Sequence, residues 1–265
     1  MQKILKTEWM KVRDYKAFWI LSGLFVVCVV ALNYTVWAFR VSMDAKSGKA
    51  NSEMILGSPF AYPDVWNTAT WLSGWLLFLP GLIVIMLITN EFTYRTHRQN
   101  VMDGWTRTDF IVAKLLWVVA LSVVAALAAF ISTIIFGALG DASFTTDKMV
   151  YVLYFFLESL SYLMVALLFG VLLRRSGLAI GLYFLYIMLL KNAISGLLNH
   201  NVGHQVGLYF PLRVTDELIP FPFLKSITKG QFEPPPPVAV LLTGTAVYLG
   251  VFYWWMVYKF RTDNL

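Results

Sequence analysis

The chain has 265 residues, 58% of them hydrophobic and only 14% charged, with a mean hydropathy of +0.66. A soluble domain holds about 45–50% apolar and about 25% charged residues, so this excess, gathered in blocks, excludes an ordinary soluble core and indicates a bilayer protein. The net charge of +6 comes from basic residues at the ends of apolar runs, a pattern of membrane orientation rather than of a nucleic-acid face, and the single Cys28 excludes a disulfide framework or thiolate metal site within the chain.

Residues 1–16 alternate charge with apolar side chains. Met1, Leu5, Trp9 and Val12 share one helical face, and Lys3, Lys6, Lys11 and Arg13 lie mostly around the rest. This reads as an interfacial helix in the headgroup plane, or as a charged tail that only sets orientation. Residues 17–39 form a first span, long enough for a hydrocarbon core about 30 Å thick. The run is too long for a signal peptide and has no small-x-small cleavage site. A polar loop over 40–70 contains Gly48, Gly57, Pro59 and Pro63, and Trp66, Trp71 and Trp75 at its end mark a membrane interface. The second span, 71–89, should kink at Pro80-Gly81.

The polar, basic segment from Asn90 to Phe110 separates two long apolar runs. Thr96 and Gln99 have the spacing of a capping box. Gly104 stands where a short helix stops in a left-handed cap. Two readings follow: a short helix over 96–103 held against the membrane by its flanking spans, or a solvated loop with one helical turn. Later spans are expected at 111–138, with Lys114 able to snorkel near its start, at 150–173, ending on Arg174-Arg175, at 178–198, and at 238–258.

Six spans put both termini on one side. The N-terminal segment carries five Lys/Arg, the central segment three with Lys114 beside it, and Arg174-Arg175 and the tail two each. The remaining loops carry three, one and three over longer stretches. The positive-inside rule therefore places the termini and the central segment in the cytoplasm. Two ionisable residues, Glu158 and Lys191, fall inside spans at similar depth, roughly 10–12 Å below the outer surface at 1.5 Å per residue. They read as an intramembrane ion pair, either fixing helix packing or standing on a substrate path.

The loop 199–237 has apolar stretches broken by Pro211, Pro220 and Pro222, too short to span and too apolar to be freely solvated. Short external or re-entrant helices explain it, or an exposed loop with interfacial anchors, with 234–237 a stiff spacer about 12 Å long. His200 and His204 have a spacing that can hold a metal on a helix, but Gly203 between them and the lack of a nearby carboxylate argue against it. No phosphate-binding loop, H-E-x-x-H or G-x-S-x-G occurs, so the chain carries no recognisable catalytic set and no metal or cofactor is assigned to it. If ATP powers this protein, another chain binds it.

The layout resembles the permease subunits of ABC-2 type transporters. The likeness covers the whole chain in layout and is most specific from Glu91 to Lys114. There a Glu ends the second helix, a basic helix follows, and Gly104-Trp105-Thr106-Arg107 precedes Phe110 and Lys114. The family segment usually reads Pro-x-[ST]-R; the glycine points away from the polysaccharide exporters. The resemblance implies an all-α membrane permease of six transmembrane helices with an N-terminal interfacial helix. It implies a cytoplasmic coupling helix over 96–103 and short external helices within 199–237. It further implies two partner ATP-binding subunits carrying ATP and Mg, a second permease in a homodimer or a heterodimer with a similar chain, and a bacterial inner-membrane location. On that reading Val101, Met102 and Trp105 anchor the segment on the ATPase, and Arg95, His97, Arg98 and Asp103 form its rim, with Glu91, Thr96, Gln99, Gly104 and Arg107 completing it. A self-contained secondary transporter or channel, and a membrane immunity or scaffold protein without transport, remain the alternatives; inverted repeats are not evident in the sequence.

Overall fold

A computed structural model describes residues 2–48, 53, 57–96, 99, 102, 104–140, 143–203, 205–223 and 236–262. Their regular elements are all helical, with no strand among the described residues. In chain order they give α1 (Gln2–Arg13), α2 (Lys16–Ser47), α3 (Val65–Gly74), α4 (Phe78–Thr93), α5 (Arg107–Ala138) and α6 (Val150–Leu173). Then come α7 (Ser176–Leu185), a π-helical turn (Tyr186–Leu190) and α8 (Lys191–Asn201). A 3-10 turn (Val206–Tyr209), α9 (Arg213–Asp216) and α10 (Val238–Thr262) complete the chain. Five helical segments are long and apolar enough to cross a membrane, and the bent pair of α3 and α4 makes a sixth.

The helix α6 is the hub of the bundle. Two thirds of its apolar window is buried, against about a fifth for α2, the α7–α8 span and α10, because α3, α4, α5, α7 and α10 all pack on it. Its Gly170 lets Ile88 of α4 approach so closely that a Cβ there would stand 2.2 Å from the Ile88 side chain. Two turns earlier along α4, a Cβ on Gly81 would stand 2.4 Å from the Tyr183 hydroxyl. Small residues thus set the distance between these helices, as close helix packing in a bilayer requires.

The second span differs from its expected form in two ways. It begins at Val65 rather than at residue 71, and Trp66 is fully buried within the chain, its Nε1 donating to the Thr145 carbonyl at 2.9 Å. Its bend of 43° lies at residues 75–77, one turn before Pro80 rather than at Pro80-Gly81. Proline has no N–H to give and its ring crowds the carbonyl four residues back, here Leu76, so the break falls N-terminal to the ring. Pro80 then sits in the first turn of α4, where its missing donor is harmless.

Residues 206–219 strap down the ends of the last two spans. Ser195 Oγ donates to the Gly207 carbonyl at 2.8 Å, Gly207 N donates to Asn199 Oδ1 at 2.6 Å, and Tyr248 Oη donates to the Tyr209 carbonyl at 2.7 Å. Val214 and Leu218 of this segment bury against Leu241 of α10. Short packed elements are therefore present where the sequence called for them; the spacer at 234–237 falls largely outside the described residues.

Candidate functional site

At one end of the bundle, α4 stops at Thr93, and Arg95 takes a left-handed φ of 56°. Thr96, Gln99 and Met102 are helical, and Gly104 has a φ of 93°, the left-handed stop that its identity suggested. His97, Arg98, Val101 and Asp103 lie outside the described residues. Met102 is 80% exposed. Among the described residues a capping box stands at Thr106 and Asp109, ten residues beyond the one expected at Thr96 and Gln99. Asp109 N donates to Thr106 Oγ1 at 3.1 Å and Thr106 N donates to Asp109 Oδ2 at 3.0 Å, which satisfies the start of α5. Arg107 is the first residue of α5.

Behind this segment lies a cluster of four charges on three helices. Lys114 of α5 donates to Glu8 Oε2 of α1 at 2.6 Å and also to Glu91 of α4. Lys11 donates to Glu8 Oε1 and to Glu91 Oε1, each at 3.0 Å. Glu8, Glu91 and Lys114 are all buried. Two carboxylates and two ammoniums make the set formally neutral, which is what allows charges to persist away from water. Burial alone would raise the Glu8 carboxyl, but Lys114 and Lys11 draw it below its ordinary value. Burial would likewise lower Lys11, and Glu91 and Glu8 outweigh it, raising the amine above its ordinary value.

Aromatic rings close the cluster from both sides. The Lys11 ammonium stands 5.7 Å over the Trp105 ring, and Lys114 lies 5.4 Å over Phe110, which stacks on Phe260 of α10 at 4.8 Å. Trp9 stacks on Trp117 of α5 at 6.3 Å. The cluster therefore ties the root of the 95–105 segment to α1, α5 and α10. Of the expected segment residues that are described, Glu91 and Trp105 are brought into it.

Glu8 was absent from the sequence-based set. The expected apolar stripe ran through Trp9 and Val12, yet Trp9 is half exposed, and the buried face of α1 is centred on Glu8 and Val12 at i, i+4 spacing. The available signal was that Glu8 is the single acidic residue of an otherwise basic helix.

Nearer the other end of the bundle, the expected Glu158–Lys191 pair is replaced by another. The Lys191 ammonium pairs with Asp216 Oδ2 at 2.7 Å and donates to the Tyr162 hydroxyl, which itself donates to Asp216 Oδ1 at 2.8 Å. The reason is local. The π-turn adds a residue to the helix just before Lys191, and the short α9 brings Asp216 up to meet it. Leu212 at the start of α9 has a φ of 67°, an unfavourable left-handed conformation for its side chain type, and its carbonyl accepts from Asp216 N at 3.0 Å. Glu158 lies across a cavity of about 350 Å³ lined by Trp71, Trp75, Tyr162, Lys191, Arg213 and Asp216 among others. Arg213 is held by Glu217 at 2.8 Å.

The profile of a family described as "ABC-2 family transporter protein" matches residues 4–190, well over half of the chain. This stretch contains the four-charge cluster and the segment above it. A search of curated proteins finds no match.

Proposed function

The chain belongs to the ABC-2 transporter family and is a multi-pass membrane permease component of an ABC transporter, and from that premise we propose that it works as an ATP-driven exporter subunit, engaging separate ATP-binding subunits through residues 91–107. The observation that supports this most is the four-charge cluster of Glu8, Lys11, Glu91 and Lys114, which grips the root of an exposed segment and joins it to two further helices. A segment on free loops would dissipate a push from a partner. A segment rooted in a neutral, desolvated ionic cluster passes displacement to α1 and α5 as a unit, because separating any one charge strands the others.

On this reading the exposed Met102, with Val101 and Trp105, seats in a groove of the ATPase, and Arg95, His97, Arg98 and Asp103 contact its rim. ATP and Mg belong to two ATPase partners, and a second permease copy completes the path through the inner membrane, with both termini cytoplasmic. The Val101→Asp/Met102→Asp double variant tests the engagement. It should insert in the membrane normally but lose co-purification with a co-expressed ATP-binding subunit that the parent chain retains; undiminished co-purification overturns the reading and favours a transporter or scaffold that works without such a partner.

A further inference from the structure

We infer that the cavity between the α3–α4 bend, α6 and the Lys191 region is a binding site for an organic cation, with Glu158 as its counter-ion. The inference goes beyond the coupling reading and does not depend on it.

The charges lining the cavity do not cancel. Lys191 is matched by Asp216 at 2.7 Å and Arg213 by Glu217 at 2.8 Å. Glu158 is the carboxylate left over. It is 7% exposed, lines the cavity, and makes no hydrogen bond or ion pair to another described residue. Its Oε1 would stand 3.0 Å from a Cβ placed on Gly74, so it lies against a bare stretch of backbone at the α3–α4 break. A carboxylate that faces a cavity without a hydrogen-bond donor from the described residues is a group that an incoming cation can pair with.

The walls indicate which kind of cation. Trp71 meets Trp75 at 5.7 Å and 69° and meets Phe221 at 5.1 Å and 77°, so the aromatic rings on this side face in different directions. Aromatic faces around a carboxylate suit an alkylammonium, through cation–π attraction and apolar contact together. A hard metal ion needs several free oxygen ligands, and Asp216 and Glu217 are already held by Lys191 and Arg213. The volume of about 350 Å³ is large for a bare ion and at the small end of organic ligand sites. Trp75 lines the cavity and is also 57% exposed, so the space reaches the surface of the chain. The ammonium can come from a soluble amine or from a lipid headgroup.

The test uses the full chain in phosphatidylglycerol nanodiscs, without ATPase, and measures equilibrium binding of radiolabelled benzyltrimethylammonium. Saturable binding is expected, with neopentylbenzene, its uncharged isostere, competing at least about tenfold less well, equivalent to about 1.4 kcal/mol. Glu158→Gln should weaken binding about tenfold or more, Glu158→Asp should recover part of it, and Trp75→Ala on the exposed wall should weaken it several-fold. No saturable binding, equal competition by the neutral isostere, or unchanged affinity in Glu158→Gln overturns the inference. A second set of nanodiscs containing phosphatidylethanolamine names the source: loss of probe binding identifies a lipid headgroup, retention a soluble amine, and both support an ammonium site. Because the ATPase is absent, failure here is separate from failure of the coupling reading.

Discussion

Lys114 of α5 reaches Glu8 of α1 at 2.6 Å across 106 positions of sequence, and both side chains are buried. The N-terminal helix is therefore held to the bundle by an ionic contact as well as by apolar packing through Val12. Lys114→Met removes one cation and leaves Glu8 and Glu91 facing each other with Lys11 alone between them. Stripping one partner from a buried pair costs about 3–5 kcal/mol. The variant should unfold well below the parent temperature in detergent, and the double variant Lys114→Met/Glu8→Gln should recover part of the loss. A double variant no more stable than the single one shows that the cluster is not a unit.

The same cluster sets a pH window. The Glu8 carboxyl is lowered from 4.5, so the stability it contributes is complete above that value and is lost as pH falls through the folded-state value below it. The Lys11 amine is raised from 10.5, so its contribution is complete below that value and is lost as pH rises beyond it. Between these limits the cluster should be indifferent to pH. Thermal unfolding of the purified chain should be level through neutral pH and fall in strong acid, and Glu8→Gln should flatten the acid limb. An unfolding temperature that falls steeply between pH 6 and 8 means other groups govern the fold.

The spans were legible because each is a long apolar run with Lys or Arg near at least one end, and bilayer thickness converts that pattern into helices directly. Gly104 was legible because a left-handed stop favours glycine. Other features depend on partners that the sequence does not place side by side. Lys191 was expected to meet Glu158 because both lie at similar depth on successive spans. The turn at Leu212 brought Asp216 nearer, and depth along a helix carries no information about a loop that folds back onto the bundle. The buried face of α1 was likewise misjudged because an apolar stripe was sought, whereas the helix turns a carboxylate inward to two lysines.

Glycines with identical local propensity should separate by their neighbours. A Cβ on Gly81 would stand 2.4 Å from the Tyr183 hydroxyl and one on Gly170 would stand 2.2 Å from the Ile88 side chain, whereas Gly181 and Gly250 have nothing within 4 Å. Gly81→Ala and Gly170→Ala force helices apart and should cost about 1–3 kcal/mol. Gly181→Ala and Gly250→Ala should be neutral or stabilising, since alanine is the better helix former. Melting curves of the four variants, with Gly81→Ala no different from Gly250→Ala, would show that the α4–α7 contact is loose.

The two carboxylates near Lys191 should respond in opposite ways to neutralisation. Asp216 pairs with Lys191 and accepts from the Tyr162 hydroxyl, so Asp216→Asn leaves a buried ammonium without its counter-charge and should destabilise the chain by about 3–5 kcal/mol. Glu158 has no such partner among the described residues and already bears the cost of burial alone. Glu158→Gln removes that cost, so the ligand-free chain should be as stable as the parent or more so. The contrast separates a structural acid from a binding one: if Glu158→Gln unfolds as readily as Asp216→Asn, Glu158 is part of the scaffold after all, and the ion pair read from the sequence is the better description.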